Sequence, residues 1–294
     1  MENMENLSSY SSVQFDIVRN VLTLGVGAQV AGLVYFLSTS RESAPAYRLS
    51  STLSAVVMVS AALILLNQQL NWQQAFTWDG DRWNPGTTTF SNGYRYVNWS
   101  IDVPMLLTQL LVALGVPHDK FRRTFIGFVV GGLLMIYTGY VGQFYETTSI
   151  ANLLIWGGIS TVFMVYICYL VGMTIFPAAK TLPGDTGKTA RAIFWLLILS
   201  WTLYPIAYLM PWLSPTANGM VARQILYTVA DISSKVIYGV MLTSLVTRRS
   251  ALEGYVPAQS ATESAAYPTV EPVTSLDGQV PERVSVRKPL STDR

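Results

Sequence analysis

The residues able to do chemistry in this chain are few, and they fall into two groups. Arg95, Asn98, Asp102 and Gln109 are spaced to fall on one stripe of a helix. From Asp102 to Gln109 that stripe climbs about 10 Å along the axis. Asp231 and Lys235 stand four apart, the spacing of an ion pair along one helical face, with Arg223 earlier in the same segment. A lysine held away from water is pushed toward its neutral, nucleophilic form, which suits condensation with an aldehyde as a Schiff base. The buried cation that results needs carboxylates beside it, and Asp102 and Asp231 are of that kind. The plainer reading of the same residues is a structural ion pair that locks two helices together. Spacing alone leaves both open.

These side chains need elements to hold them, and composition says which. Of 294 residues, 51% are hydrophobic and only 12% are charged, about half the charge of an ordinary soluble domain. That excludes a water-soluble globule, and the aromatic and apolar runs exclude a disordered chain. A net charge of +2 gives no footprint for nucleic acid. A single cysteine, Cys168, allows no internal disulfide, and a single histidine, His118, allows no zinc site of the usual kind. Apolar stretches long enough to cross a ~30 Å hydrocarbon core recur at 21–37, 53–72, 96–116, 124–145, 150–176, 193–213 and 222–247. The first is short and is expected to start near Asp16. The expected fold is an all-α membrane protein, a bundle of seven transmembrane helices. Asp102 falls inside span three, and Asp231 and Lys235 inside span seven. Charges in mid-bilayer cost at least ~2.5–3.5 kcal/mol, so they need partners and usually have a role.

Arg41, Arg48, Lys120, Arg122, Arg123, Lys180, Lys188, Arg191, Arg248 and Arg249 share one set of connections, which should face the cytoplasm. Seven spans then put the N-terminus outside and the C-terminus inside. No cleavable leader is expected in the polar first ten residues. The long connection 73–94, with its Asp-Gly, Asn-Pro-Gly and Asn-Gly pairs, predicts a short extracellular β-hairpin between helices two and three. Residues 1–249 form the membrane domain on this reading. Residues 250–294, rich in Ser, Thr, Pro and Glu, are expected to be a disordered cytoplasmic tail.

Three segments carry a family resemblance: Arg95-Tyr-Val-Asn-Trp-Ser-Ile-Asp-Val-Pro-Met-Leu-Leu-Thr-Gln109, Trp201-Thr-Leu-Tyr-Pro205 and Asp231-Ile-Ser-Ser-Lys235. Over residues 10–250 the chain resembles the microbial rhodopsins. The resemblance implies all-trans retinal on Lys235 as a protonated Schiff base, with Asp102 and Asp231 as counterions and Asp102 as proton acceptor. It implies a pocket of Trp99, Trp201, Tyr204 and Tyr208, with Met135 and Gly139 near the ring. Gly157 takes a place where some relatives have a large aromatic. Either it opens a window for a carotenoid antenna, or it eases a helix contact.

Within that family, Asn98, Asp102 and Gln109 form the pattern that resembles the light-driven sodium pumps, as do the stretches 53–60, 138–146 and 200–205. The implied activity is outward sodium pumping, with protons moved when sodium is absent. The chain reads as a transporter and not an enzyme, having no nucleophile–base set. Sodium would be held transiently near Asn98, Asp102 and Asp231, with Ser60 nearby. Arg95 would gate the exit, and Glu146 with Arg223 resembles the family's release cluster, joined by Glu5 if the N-terminus folds as a cap. On the inner side, Ser51 and Thr243 stand where a relative has Asn and Gly. Relatives commonly form pentamers. The rival readings are a proton pump, a chloride pump and a sensory photoreceptor.

Overall fold

Among the described residues, seven long helices follow one another around a closed ring, each packed on the next and the last packed on the first. They are α1 (Ser12–Thr39), α2 (Arg48–Ala75), α3 (Gly93–Ala113), α4 (His118–Gln143), α5 (Ile150–Thr181), α6 (Thr186–Leu213) and α7 (Ala217–Leu252). The computed structural model describes residues 3–257. Six of the seven helices are long and apolar enough to cross a membrane; α3 is the exception. Its polar stripe explains this: Arg95, Asn98, Asp102 and Gln109 are all buried, facing the bundle, so the helix hides its charge inside instead of diluting it with apolar neighbours.

The helices overrun the apolar stretches at most ends. The fourth starts at His118 and not 124, and the sixth at Thr186 and not 193. Apolarity marks only the hydrocarbon part of a span, while Lys and Arg continue the helix into the interface with their heads in water. The last helix runs to Leu252 with Ser250 buried, so the bundle takes in the first residues of the expected tail. The remainder of that tail, 258–294, lies outside the described residues.

Local sequence sets several starts. Ser11 caps α1 in a capping box with Gln14, Ser149 caps α5, and Thr216 caps α7. Within α7 the backbone widens to a π-helix over Ile232–Ile237, the stretch that carries Lys235.

The expected hairpin is present, with β1 (Phe76–Trp78) antiparallel to β2 (Trp83–Pro85) and Thr77 opposite Asn84. Its turn is closed by Asp79, which accepts the backbone N–H groups of Arg82 at 2.8 Å and Asp81 at 2.9 Å. Those donors hold the Asp79 carboxyl below its usual range. The N-terminal segment adds to this end of the bundle: Met4–Leu7 forms a 3₁₀ turn, and Tyr10 bridges Trp83 through paired backbone hydrogen bonds. Tyr10, Phe15, Trp72, Phe76 and Phe90 pack beneath it as a buried cluster separate from the main core.

Candidate functional site

Lys235 stands at the centre of the bundle with 2% exposure. Its amine lies 3.0 Å from Asp102 Oδ2 on α3 and 2.9 Å from Asp231 Oδ1 on its own helix. It also donates to Asn98 Oδ1 at 2.5 Å. Asn98 in turn donates through Nδ2 to Ser60 Oγ on α2 at 2.9 Å. The stripe on α3 and the pair on α7 therefore meet, as their spacing allowed. One ammonium among two carboxylates leaves a net negative charge, which Arg95 offsets by donating to Asp231 Oδ2 at 2.8 Å. Asp231 accepts further bonds from the Tyr204 hydroxyl at 2.8 Å and from Trp99 Nε1 at 3.4 Å. Such a cluster persists out of water because each charge has an opposite partner; Asp102 is held by its ion pair with Lys235, and neither of its oxygens accepts a hydrogen bond among the described residues.

From Asp231 a polar chain runs without a break to the hairpin end. Arg95 also donates to Gln224 Oε1 at 3.1 Å, and Gln224 donates to Glu5 at 2.7 Å and to Asn92 at 3.0 Å. Arg223 binds Glu146 through two bonds of 2.7 and 2.8 Å, and Glu5 at 3.1 Å. All three are buried, so the expected salt bridge between Glu146 and Arg223 is an interior one. Glu5 joins it because the N-terminus folds inward as a cap. Sequence reasoning missed Gln224, Asn92 and Gln143, the last of which accepts from Arg223 at 3.1 Å. Gln224 had a signal, lying seven residues before Asp231 on the same face of α7; Asn92 and Gln143 sit at helix ends and had none.

Toward the C-terminal end the polar groups do not connect. Gln109 accepts from Ser54 Oγ at 2.6 Å, Ser51 is buried near the start of α2, and Thr243 is buried about two turns beyond Lys235 on α7. Between these and Lys235, the same helices present Met58, Leu106, Tyr238 and Leu242, all buried. The site is thus wired to one end of the bundle and sealed from the other.

Beside Lys235 lies a cavity of about 290 Å³. Trp99, Trp201, Tyr204 and Tyr208 line it, with Met135 and Gly139 from α4, so every residue expected in a pocket is there. Val103 and Leu106 of α3 and Met164 of α5 are further walls that sequence reasoning missed. Gly157 belongs to the lining as well: a Cβ there would stand 2.6 Å from Tyr208 Cε1, so only glycine lets the tyrosine ring pass so close. The enclosure is an apolar, aromatic slot with an amine in its wall.

The sequence matches the family model of bacteriorhodopsin-like proteins over residues 17–249. The chain belongs to that family, the microbial rhodopsins. Bacteriorhodopsin of Halobacterium salinarum is 26% identical over 249 residues, which span 83% of this chain and 89% of that protein. Among solved structures, a thermophilic rhodopsin superposes with a TM-score of 0.80 at 29% identity, covering 84% of this chain and 99% of that one. Xanthorhodopsin, described as a light-driven ion pump with dual chromophore, follows at 0.79 and 28% with the same coverage. Microbial rhodopsins are light-driven ion pumps and photoreceptors, and members of the family bind retinal. The residues here fit that group: the slot is apolar along its length, and its one amine, Lys235, is where an aldehyde could attach.

Proposed function

We propose that this rhodopsin is a light-driven outward sodium pump that carries retinal on Lys235. Retinal supplies light absorption and a change of shape on illumination; the rest is the work of the chain's own side chains. A positive charge at Lys235 Nζ bars a cation from passing at short range in a low-dielectric core. Asp102, 3.0 Å away, is placed to take the proton from that nitrogen, which removes the barrier and leaves a neutral acid. Asn98 Oδ1, the Asp231 carboxylate and Ser60 Oγ then offer oxygen ligands, the kind a hard cation prefers. Return of the proton from Asp102 restores the barrier behind the ion. The ion leaves by way of Arg95 and the Glu5–Glu146–Arg223 cluster.

The observation that carries the choice of sodium is the amide of Asn98 against the lysine amine at 2.5 Å, beside the acid of Asp102. A second acid at 98 would supply a proton relay; an amide supplies an oxygen ligand and cannot hold a proton. Gln109, tied to Ser54, likewise offers no proton donor on the other side. A halide is disfavoured by the anionic Asp102 beside the lysine. Protons are the expected cargo when sodium is absent.

Several expectations of the resemblance belong to the same reading. On this reading the end of the bundle rich in basic connections faces the cytoplasm, the membrane is a bacterial inner membrane, and the chain assembles as a pentamer. Of the two roles for Gly157, a window for a carotenoid antenna or a close helix contact, the Tyr208 ring packed against it supports the contact. The test of the transport reading is illumination of cells in unbuffered sodium medium. Sodium export drives passive proton uptake, so the medium turns alkaline and a protonophore enlarges the change. A change that a protonophore abolishes contradicts the reading.

A further inference from the structure

At the C-terminal end of the bundle, the close of α7 is tied to the α1–α2 connection and to the end of α3. Gly254 takes a φ of +87°. Tyr255 N–H donates to Ser250 O at 2.8 Å and Gly254 N–H to Ala251 O at 3.1 Å, the paired bonds of a Schellman close. That reversal turns the chain back across the bundle. Glu253 accepts from the Tyr47 hydroxyl at 2.8 Å and from Arg249 Nε at 2.7 Å. The Tyr255 hydroxyl accepts from Arg48 at 2.9 Å and donates to Arg41 O at 3.2 Å. Ser250 Oγ accepts the Ala44 N–H at 2.9 Å.

Arg249 is the hub of this clasp. Its guanidinium lies 4.6 Å over the Tyr47 ring, donates to Ala113 O at 3.3 Å and rests against the Gly115 backbone, where a Cβ would stand 2.8 Å from Nη1. Its side chain is 16% exposed, against 40% for Glu253. The positive group is thus tucked in, and the one acid of the clasp faces outward.

Beneath the clasp are polar atoms that nothing satisfies. Ser51 Oγ, one turn into α2 from Tyr47, is buried and meets no hydrogen-bond partner among the described residues; the same holds for Thr247 Oγ1 on α7 and Gln109 Nε2 on α3. A buried polar atom without a partner costs free energy, and these three stand within about one helical turn of Tyr47, Arg249 and Ala113, the groups that the clasp joins. Arg249 ties together the ends of these three helices.

We propose that Arg249, Glu253 and Tyr47 form the gate of the cation inlet, with Arg249 as a cationic plug over the buried polar groups of Ser51, Thr247 and Gln109. The proposal rests on the transport reading above. A guanidinium at the mouth repels an incoming cation, while the outward carboxylate of Glu253 attracts one. A cation that pairs with Glu253 takes the place of Arg249 there, and Arg249 leaves the Tyr47 ring and opens the way to Ser51.

The test is dark-state labelling of the Ser51→Cys thiol with a positively charged methanethiosulfonate, on the full retinal-loaded chain with Cys168→Ser as background. With the clasp intact, labelling is slow. In Arg249→Gln it rises on the order of tenfold, the scale on which a cation–π contact and a half-exposed ion pair act together. Tyr47→Phe, which removes one hydroxyl and keeps the ring, gives a smaller rise in the same direction, and retained colour shows that each variant is folded. Equal rates with and without Arg249, whether slow or fast, overturn the gate. Labelling does not depend on which ion is carried: a rate that follows the clasp without light-driven sodium movement refutes the sodium reading and keeps the gate.

Discussion

Asp102 and Lys235 meet at 3.0 Å from different helices, both withdrawn from solvent. The two opposite charges offset each other in the bundle interior. Removing one partner of such a buried pair leaves an uncompensated charge, typically at a cost of about 3–5 kcal/mol. Here the cost is divided, because Asp231 also reaches Lys235 at 2.9 Å and Arg95 also reaches Asp231. Asp102→Asn is therefore expected to fold and to bind retinal, yet to move no ions, because its amide cannot take the lysine proton. Loss of a negative charge beside the lysine also shifts absorption to longer wavelength. Spectra and ion flux on one preparation check both; normal transport removes Asp102 from its role.

Lys235→Ala should give a colourless protein when retinal is added, since no other amine lines the slot among the described residues. Visible absorbance in that variant would refute the attachment site.

Asn98→Asp places a second acid against the lysine, next to Ser60. The expected outcome is loss of sodium transport in favour of protons, so that illuminated cells acidify an unbuffered medium and a protonophore abolishes the signal. Alkalinisation of wild-type size would show that the amide does not select the ion.

Arg223 binds Glu146 through two short bonds and Glu5 through two longer ones. Glu146→Gln should destabilise the folded protein by about 1.5–3 kcal/mol, the value of a hydrogen bond to a charged group, and Glu5→Gln by less. Thermal bleaching of the chromophore measures both. The reverse order would mean that the N-terminal cap, not the α4 end, anchors the arginine.

Gly157→Ala forces its Cβ against Tyr208, whose hydroxyl is fixed to Leu153 O at 3.0 Å. Overpacking of this kind costs about 1–3 kcal/mol and should lower the thermal stability of the retinal-bound protein. Excitation spectra with added carotenoid separate the two roles of the glycine. Energy transfer that is present in the wild type and lost in Gly157→Phe supports the antenna window, while its absence in both leaves close helix packing as the role.

How far the sequence could be read followed from the range of each interaction. The Asp231–Lys235 pair is local, one turn of one helix, and its spacing declared it. That Asp102 and Asn98 would reach the same amine depends on how α3 packs on α7, which the motif resemblance anticipated and spacing alone did not. The pocket aromatics were legible for the same reason. Helix ends were misjudged wherever Lys, Arg, Ser or Thr continue a helix past its apolar part, as at His118 and Thr186. The clasp went unseen because Glu253 and Tyr255 sit in a stretch whose composition reads as tail; Glu253 meets Tyr47 because the helix runs on to it, and the turn at Gly254 brings Tyr255 back onto Arg48.

The account as a whole turns on what crosses the membrane when Lys235 and Asp102 exchange their proton. The most direct measurement follows radioactive sodium in vesicles containing the purified retinal-loaded protein, in light and in darkness, with a protonophore present throughout. Light-dependent sodium movement that persists under the protonophore, and disappears in Asp102→Asn, is the predicted result. Light-driven proton movement without any movement of labelled sodium would contradict it.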